Sequence, residues 1–234
     1  MKKQRSDGQE TRHKLLIAAG EVFAKKGFSE TTNADICVKA DANTAAVNYH
    51  FGSKENLYIE AWKYSFEKSI EAYPPDGGVS PEATVQERLR GRILSLMQRI
   101  ADPEVHSFEI IHKEMANPTG LLSETIEKAI KPIELGFKSI FQELMGNSAS
   151  EQQIVFCQMS VMGQCFGPML RLRHSKVEPA APLPGKFPID FDIDELAEHI
   201  TQFSMVGING IRQEIEKQHR NSKKNSQSRN LRRE

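Results

Sequence analysis

An all-α fold is predicted, and three observations carry that prediction. Apolar residues recur at three- and four-residue spacing along nearly the whole chain, and no clear alternating strand pattern competes with them. Glycine and proline clusters cut the periodic stretches into helix-sized segments. About nine helices follow: a small N-terminal unit of three helices with a connecting fourth, then a larger helical body. With 234 residues, 38% of them hydrophobic and 26% charged, the chain is long and apolar enough for a sizeable core.

The first helix is expected from about Glu10 to Lys26, with Leu15, Leu16, Ala19, Val22 and Phe23 on one face and Gly27 as its stop. A second begins at Thr32, a good N-cap residue, and buries Ile36 and Ala40. A third spans about Thr44 to His50, with Val47 facing inward and Phe51 closing the unit. Ser53 caps a fourth that runs through Leu57, Ala61, Trp62 and Phe66. The cluster Tyr73-Pro74-Pro75-Asp76-Gly77-Gly78 then breaks the periodicity. Further helices are predicted at about Pro81–Ala101, Pro103–Ala116, Leu121–Met145 (bent or split at Pro132), Ser150–His174 and Asp192–Lys217. The segment from Glu178 to Pro188 is too rich in proline to be helical. These boundaries define three expected regions: 9–70, with a helix-turn-helix at about 32–51; a helical body at 76–216; and a basic tail at 217–234, disordered beyond about Arg220.

Zero net charge conceals a segregated distribution. Residues 1–14 hold five basic side chains against two acidic ones, and residues 217–234 hold seven against one, so the body between them is acidic. No stretch approaches the roughly 18 consecutive apolar residues of a membrane helix. The basic start Met1-Lys2-Lys3-Gln4-Arg5-Ser6 is followed by neither an apolar segment nor a cleavage site, so a cytoplasmic protein is expected. Three cysteines, Cys37, Cys157 and Cys165, are an odd number without paired metal spacing, which suits a reducing compartment and buried apolar roles.

Residues 31–57 carry the chemistry. A helix that enters a DNA major groove needs small and polar side chains outward, because bulky ones hold it away from the base edges. Thr44, Ala45, Ala46 and Asn48 meet that need. Asn48 can pair with adenine through two hydrogen bonds, and alanine or threonine methyls can touch thymine methyls. Tyr49, His50 and Lys54 stand where side chains reach phosphates, and Thr32, Asn33 and Asn43 flank the same face. Asp41 sits where the turn between the two short helices requires a left-handed residue, a geometry aspartate tolerates better than most. A plain helical hairpin would explain exposed polar residues. It would not explain a cap, a turn, a small-polar helix, an aromatic pair and a lysine in this order.

The segment resembles the DNA-binding domain of the TetR family of transcriptional regulators. The resemblance lies in Thr11-Arg12, Ala18-Ala19, Phe23, Gly27-Phe28, Thr31-Thr32, Ile36, Ala40, Val47, Tyr49-His50-Phe51 and Ser53-Lys54-Glu55-Asn56-Leu57, about 50 residues in all. Two positions depart from the common pattern: Asp41 replaces the usual glycine of the turn, and Asn48 stands where tyrosine is more frequent. Met162-Gly163-Gln164 and the helix from Leu196 to Ile211 resemble the subgroup with a CerR-type C-terminal domain. The resemblance implies a homodimer binding a palindromic, double-stranded DNA operator, usually as a repressor released by a small molecule, with no cofactor and no membrane attachment.

In the body, Met97, Phe108, Ile111, His112, Met115, Phe137, Phe141, Met162 and Phe166 are the residues expected to line a pocket for an apolar or amphipathic effector. The same stripe also reads as ordinary core, and the expectation of a pocket comes from the family resemblance. Gly163, Gly167, Gly207 and Gly210 in the last two helices allow close approach, either within one chain or between two. Nothing points to an enzyme: there is no nucleophile beside a base in a shared motif and no glycine-rich phosphate loop. His106 and His112 are six apart, outside helical ligand spacing, so no metal site is expected. Cys157 and Cys165 lie about 12 Å apart along one helix, too far for a mutual disulfide.

Overall fold

A computed structural model describes residues 2–177 and 191–230. Among these residues there are nine α-helices and no strand: α1 (Lys2–Lys26), α2 (Asn33–Ala40), α3 (Ala45–Phe51), α4 (Lys54–Ala72), α5 (Val85–Ala101), α6 (Ser107–Ala116), α7 (Ser123–Met145), α8 (Glu151–Val177) and α9 (Ile193–Asn230). The all-α expectation and the order of the helices are met. The proline-rich segment 178–188 lies outside the described residues.

Several boundaries move, for local reasons. α1 begins at Lys2 rather than near Glu10, although Ser6, Asp7 and Gly8 are weak helix formers in the added stretch. α5 begins at Val85 rather than Pro81. Thr84 and Glu87 form a reciprocal cap there, with Thr84 N donating to Glu87 Oε2 at 2.8 Å and Glu87 N donating to Thr84 Oγ1 at 3.3 Å. α7 carries Pro132 inside one continuous helix and is not split there. α9 continues to Asn230, past the helix end expected near Lys217. No glycine or proline follows Gly210 to end the helix. Residues 231–234 lie outside the described residues.

The chain packs as two units, and their division differs from the one expected near residue 76. The first comprises Met1–Ala72 with Asp102–Lys131, and the second Tyr73–Ala101 with Pro132–Glu234. α6 and the start of α7 thus belong with the N-terminal helices. The first core explains why: Ile110 of α6 and Leu122 are fully buried among Leu15, Phe23, Ile36, Val47, Leu57 and Trp62. Polar bonds fix the same helix. Trp62 Nε1 donates to the Ser107 carbonyl at 3.2 Å, Ser107 N donates to Ser65 Oγ at 2.9 Å, and Tyr58 Oη donates to Glu114 Oε2 at 3.0 Å. Burial together with the Glu114 carboxylate pushes the Tyr58 phenol well above its ordinary pKa.

The second unit buries Leu89, Ile93 and Met97 of α5 with Phe137 and Phe141 of α7, Val161 and Cys165 of α8, and Ala197 and Ile200 of α9. Arg90 ties α5 to α9 through Asp194 and Glu198, each at 2.6 Å. The predicted break at residues 73–78 has a packing role as well. A Cβ on Gly77 would stand 2.4 Å from the Gly91 carbonyl oxygen, and one on Gly91 would stand 2.7 Å from the Asp76 carbonyl oxygen. Two glycines therefore let this turn lie directly on α5.

Candidate nucleic-acid interface

The interface is assembled from the ends of α1, α2, α3 and α4. α1 stops at Gly27, whose φ of 78° favours glycine, and Gly27 N donates to the Phe23 carbonyl at 2.8 Å. Thr31 Oγ1 donates back to the Gly27 carbonyl at 2.6 Å. Thr32 then caps α2 as expected, in a complete capping box: Asp35 N donates to Thr32 Oγ1 at 3.1 Å, and Thr32 N donates to Asp35 Oδ2 at 2.9 Å. The Lys26 ammonium lies 2.8 Å from Asp35 Oδ1. Lys26, followed by the Thr32 amide and hydroxyl, holds the Asp35 carboxyl at about 2, well below the ordinary carboxylate range.

The turn after α2 rests on Asp41, the one described non-glycine residue with positive φ, at φ 50° and ψ 49°. That is the left-handed geometry expected of it. Asn43 Oδ1 accepts from Ala45 N at 2.8 Å, so Asn43 caps α3, while Thr44 makes no side-chain cap bond. Val47 and Phe51 are buried and anchor α3 from within. Arg12 of α1 supports that anchor from the rear. Its guanidinium pairs with Glu60 of α4 and sits 4.8 Å from the centre of the Phe51 ring.

Anchoring from within leaves one side of α3 open. Asn43, Thr44, Ala45, Asn48 and Tyr49 are exposed, Tyr49 to 84%, and Ala46 and His50 are half-buried. The Tyr49 and His50 rings meet edge to face at 4.8 Å. Thr32 is exposed beside them. Asn33 is half-buried, and its Oδ1 is buried without a hydrogen-bond partner. Val38 on α2 is 82% exposed, an apolar side chain at this edge that the sequence reading did not single out. Its one sequence signal was an apolar residue off the buried face of Ile36 and Ala40.

Lys54, expected to reach phosphate, makes contacts within the unit. Its ammonium donates to the carbonyls of Phe28 at 3.1 Å and Thr31 at 2.9 Å, and lies 4.2 Å from the centre of the Phe28 ring. The side chain is turned into the α1–α2 loop, where two carbonyls and an aromatic face compete for the cation. These contacts tie the start of α4 to the α1–α2 loop.

The expected effector residues are divided between the two units. Phe108, Ile111, His112 and Met115 belong to the first unit, and Met97, Phe137, Phe141, Met162 and Phe166 to the second. Met115 is 75% exposed and His112 is exposed, whereas Met97, Phe137 and Phe141 are fully buried core. A cleft of about 300 Å³ in the second unit, between α8 and α9, is lined by Phe156, Cys157, Val161, Phe203, Gly207 and Ile208 among others. A second cleft in the first unit, of about 570 Å³, lies among Trp62, Lys63, Phe66, Glu124 and Lys128. None of the nine residues lines either cleft. An apolar helical stripe marks the inward face of a helix; it does not distinguish a packed interior from a cavity wall.

Comparison with known proteins agrees with this geometry. Residues 15–61 match the tetR family of bacterial regulatory proteins, and residues 85–208 match the C-terminal domain of the HTH-type transcriptional dual regulator CecR. The chain is 24% identical over 167 residues to CecR of Shigella flexneri, covering 67% of this chain and 74% of that protein. A TetR-like regulator from Rhodococcus superposes with a TM-score of 0.63 at 18% identity, over 86% of this chain and 96% of its own. AibR, solved with isovaleryl coenzyme A and operator DNA, gives a TM-score of 0.60 at 17% identity, over 82% and 97%. The chain belongs to the tetR family of bacterial regulatory proteins and carries the C-terminal domain of the CecR type.

Proposed function

We propose that this DNA-binding transcriptional regulator acts as a homodimeric repressor on a palindromic operator and is released by a small apolar or amphipathic effector. The observation that carries the DNA half of the reading is the outer side of α3. Small and polar side chains stand exposed there, while Val47 and Phe51 fix the helix from within. A single recognition helix reads only a few base pairs, so tight binding needs two half-sites, about 34–36 Å apart for adjacent major grooves. The protein acts where its DNA lies, in the cytoplasm.

The dimer half is supported by the surface of α8 and α9. Phe156, Met159, Phe203 and Val206 are 56–75% exposed. A Cβ added to Gly163, Gly167, Gly207 or Gly210 would meet nothing within 4 Å. Among the described residues these glycines therefore serve no close packing, which favours the reading in which they admit the helices of a second copy. Effector control is what family membership suggests, and AibR was solved with both a coenzyme A thioester and DNA.

Sedimentation of the full chain alone and with DNA tests the reading. A stable dimer that binds one palindrome per dimer is expected; a monomer binding a full palindrome tightly contradicts it. CecR is described as a dual regulator, which favours a second reading in which the same binding activates some promoters. Reporter fusions that rise rather than fall with the protein present would establish that reading.

A further inference from the structure

Three arginines of the second unit pair with carboxylates at close range. On α5, Arg88 pairs with Glu143 at 2.7 Å and Arg90 with Asp194 and Glu198 at 2.6 Å. On α9, Arg212 pairs with Glu216 at 2.9 Å. Arg99, in the last turn of α5, is different. It is only 2% exposed, and among the described residues no carboxylate reaches it. Its one hydrogen bond is a long one, from Nε to the Ser95 carbonyl at 3.4 Å, and its Nη2 is buried without a partner. The nearby Ile100 carbonyl is already taken by Arg173 Nη1 at 2.9 Å.

A cation enclosed in this way is unfavourable unless something offsets it. Transfer from water penalises the charged form, and burial alone pulls the Arg99 guanidinium down to about 10. It therefore still carries its charge at neutral pH. Leu96, Met97 and Ile100 on the same helix are likewise buried, and they are apolar. Packing would be served as well by methionine, without the charge. A guanidinium presents a planar fork of donors that matches a carboxylate or a phosphate through paired hydrogen bonds, and such pairing is strongest where water is excluded.

We propose that Arg99 is an anion-recognition residue of the effector site, pairing with the carboxylate or phosphate group of an otherwise apolar molecule. This rests on the reading of the protein as effector-controlled, and narrows the effector to an amphiphile with an anionic head.

Thermal melting of the full chain without DNA tests it. The panel consists of n-alkyl carboxylates and n-alkyl phosphates of six to twelve carbons, each beside the uncharged alcohol of the same chain length, with acetate and inorganic phosphate as head groups alone. At least one alkyl anion should raise the melting temperature of the wild type where its alcohol does not. The carboxylate and phosphate arms then tell which head is preferred. Arg99→Met should melt, without ligand, at or above the wild type, since no partner of the charge is lost. It should bind the active anion at least about thirtyfold more weakly. Arg99→Lys, which keeps the charge but not the fork, should retain weakened binding with the same preference for the anion over the alcohol.

A panel in which no anion stabilises the wild type more than Arg99→Met overturns the proposal. Unliganded Arg99→Met melting well below the wild type also overturns it, since Arg99 would then be a structural group. Because no DNA is present, either failure leaves the operator-binding reading intact, and loss of operator binding leaves this test intact.

Discussion

Lys54 Nζ donates to the carbonyl of Thr31 at 2.9 Å, so the first turn of the helix after the reading helix is fastened to the residue just before the α2 cap. Thr31 is itself buried and bonded to Gly27, and Asp35 closes the other side through Thr32 and Lys26. α3 is thus held through the α1–α2 loop by a chain of polar contacts, in addition to its apolar anchors.

Lys54→Met is expected to lower the unfolding free energy by about 1–2 kcal/mol, because two charge-assisted hydrogen bonds are lost at a partly exposed site. Binding to every DNA sequence should weaken alike. The slope of log affinity against log salt should stay unchanged. A slope smaller by about one unit would show that the ammonium contacts phosphate instead.

Thr44→Ala and Asn48→Ala should change which sequences are bound more than how tightly DNA is bound in general. Both side chains are exposed on the anchored helix, and a base contact contributes about 1–3 kcal/mol of discrimination. Selection from a random duplex library checks this for each variant. Recovery of the wild-type motif by both would remove these residues from base reading.

Asp35 gives the head a dependence on acid. Its carboxyl is held at about 2 in the folded protein against an ordinary 3.8. The unfolded chain therefore binds the proton more readily between these values, and the stabilisation is complete above about pH 4 and fades as pH falls toward 2. Urea denaturation across that range should show wild-type stability falling more steeply than that of Asp35→Asn. Parallel profiles would mean that the capping box adds nothing through its charge.

Gly207→Arg should leave the helices of the chain intact, since a Cβ added there meets nothing within 4 Å among the described residues. It should nevertheless move the sedimentation coefficient to that of a monomer and reduce operator affinity. A variant that remains dimeric would place the interface elsewhere.

Much of the reading head was legible because its signals are local. Gly27, Thr32, Asp41 and Ser53 each act on backbone within four residues, and the structure places all four in the roles their chemistry suggests. What the sequence concealed were partners distant in the chain. Arg12 meets Glu60 and Phe51, and Lys54 meets Phe28 and Thr31, through contacts that no spacing rule anticipates. In α6 the sequence reading singled out Ile111, whereas Ile110 is the fully buried residue, packed in the N-terminal core. Arg99 was missed for a related reason: a lone arginine in an amphipathic helix looks like a surface residue until its burial is known. The α5 start was recoverable, since Thr84 and Glu87 carry the capping-box spacing openly.

The central claim is that the exposed side of α3 reads DNA as one half of a symmetric pair. Selection of binding sites from a random duplex library by the full wild-type chain, followed by sequencing, tests it directly. The account predicts an inverted repeat whose half-sites are one helical turn or a multiple apart, lost when Thr44 and Asn48 are both replaced by alanine. Enrichment of a single unrepeated motif, or no enrichment over the starting library, would contradict it.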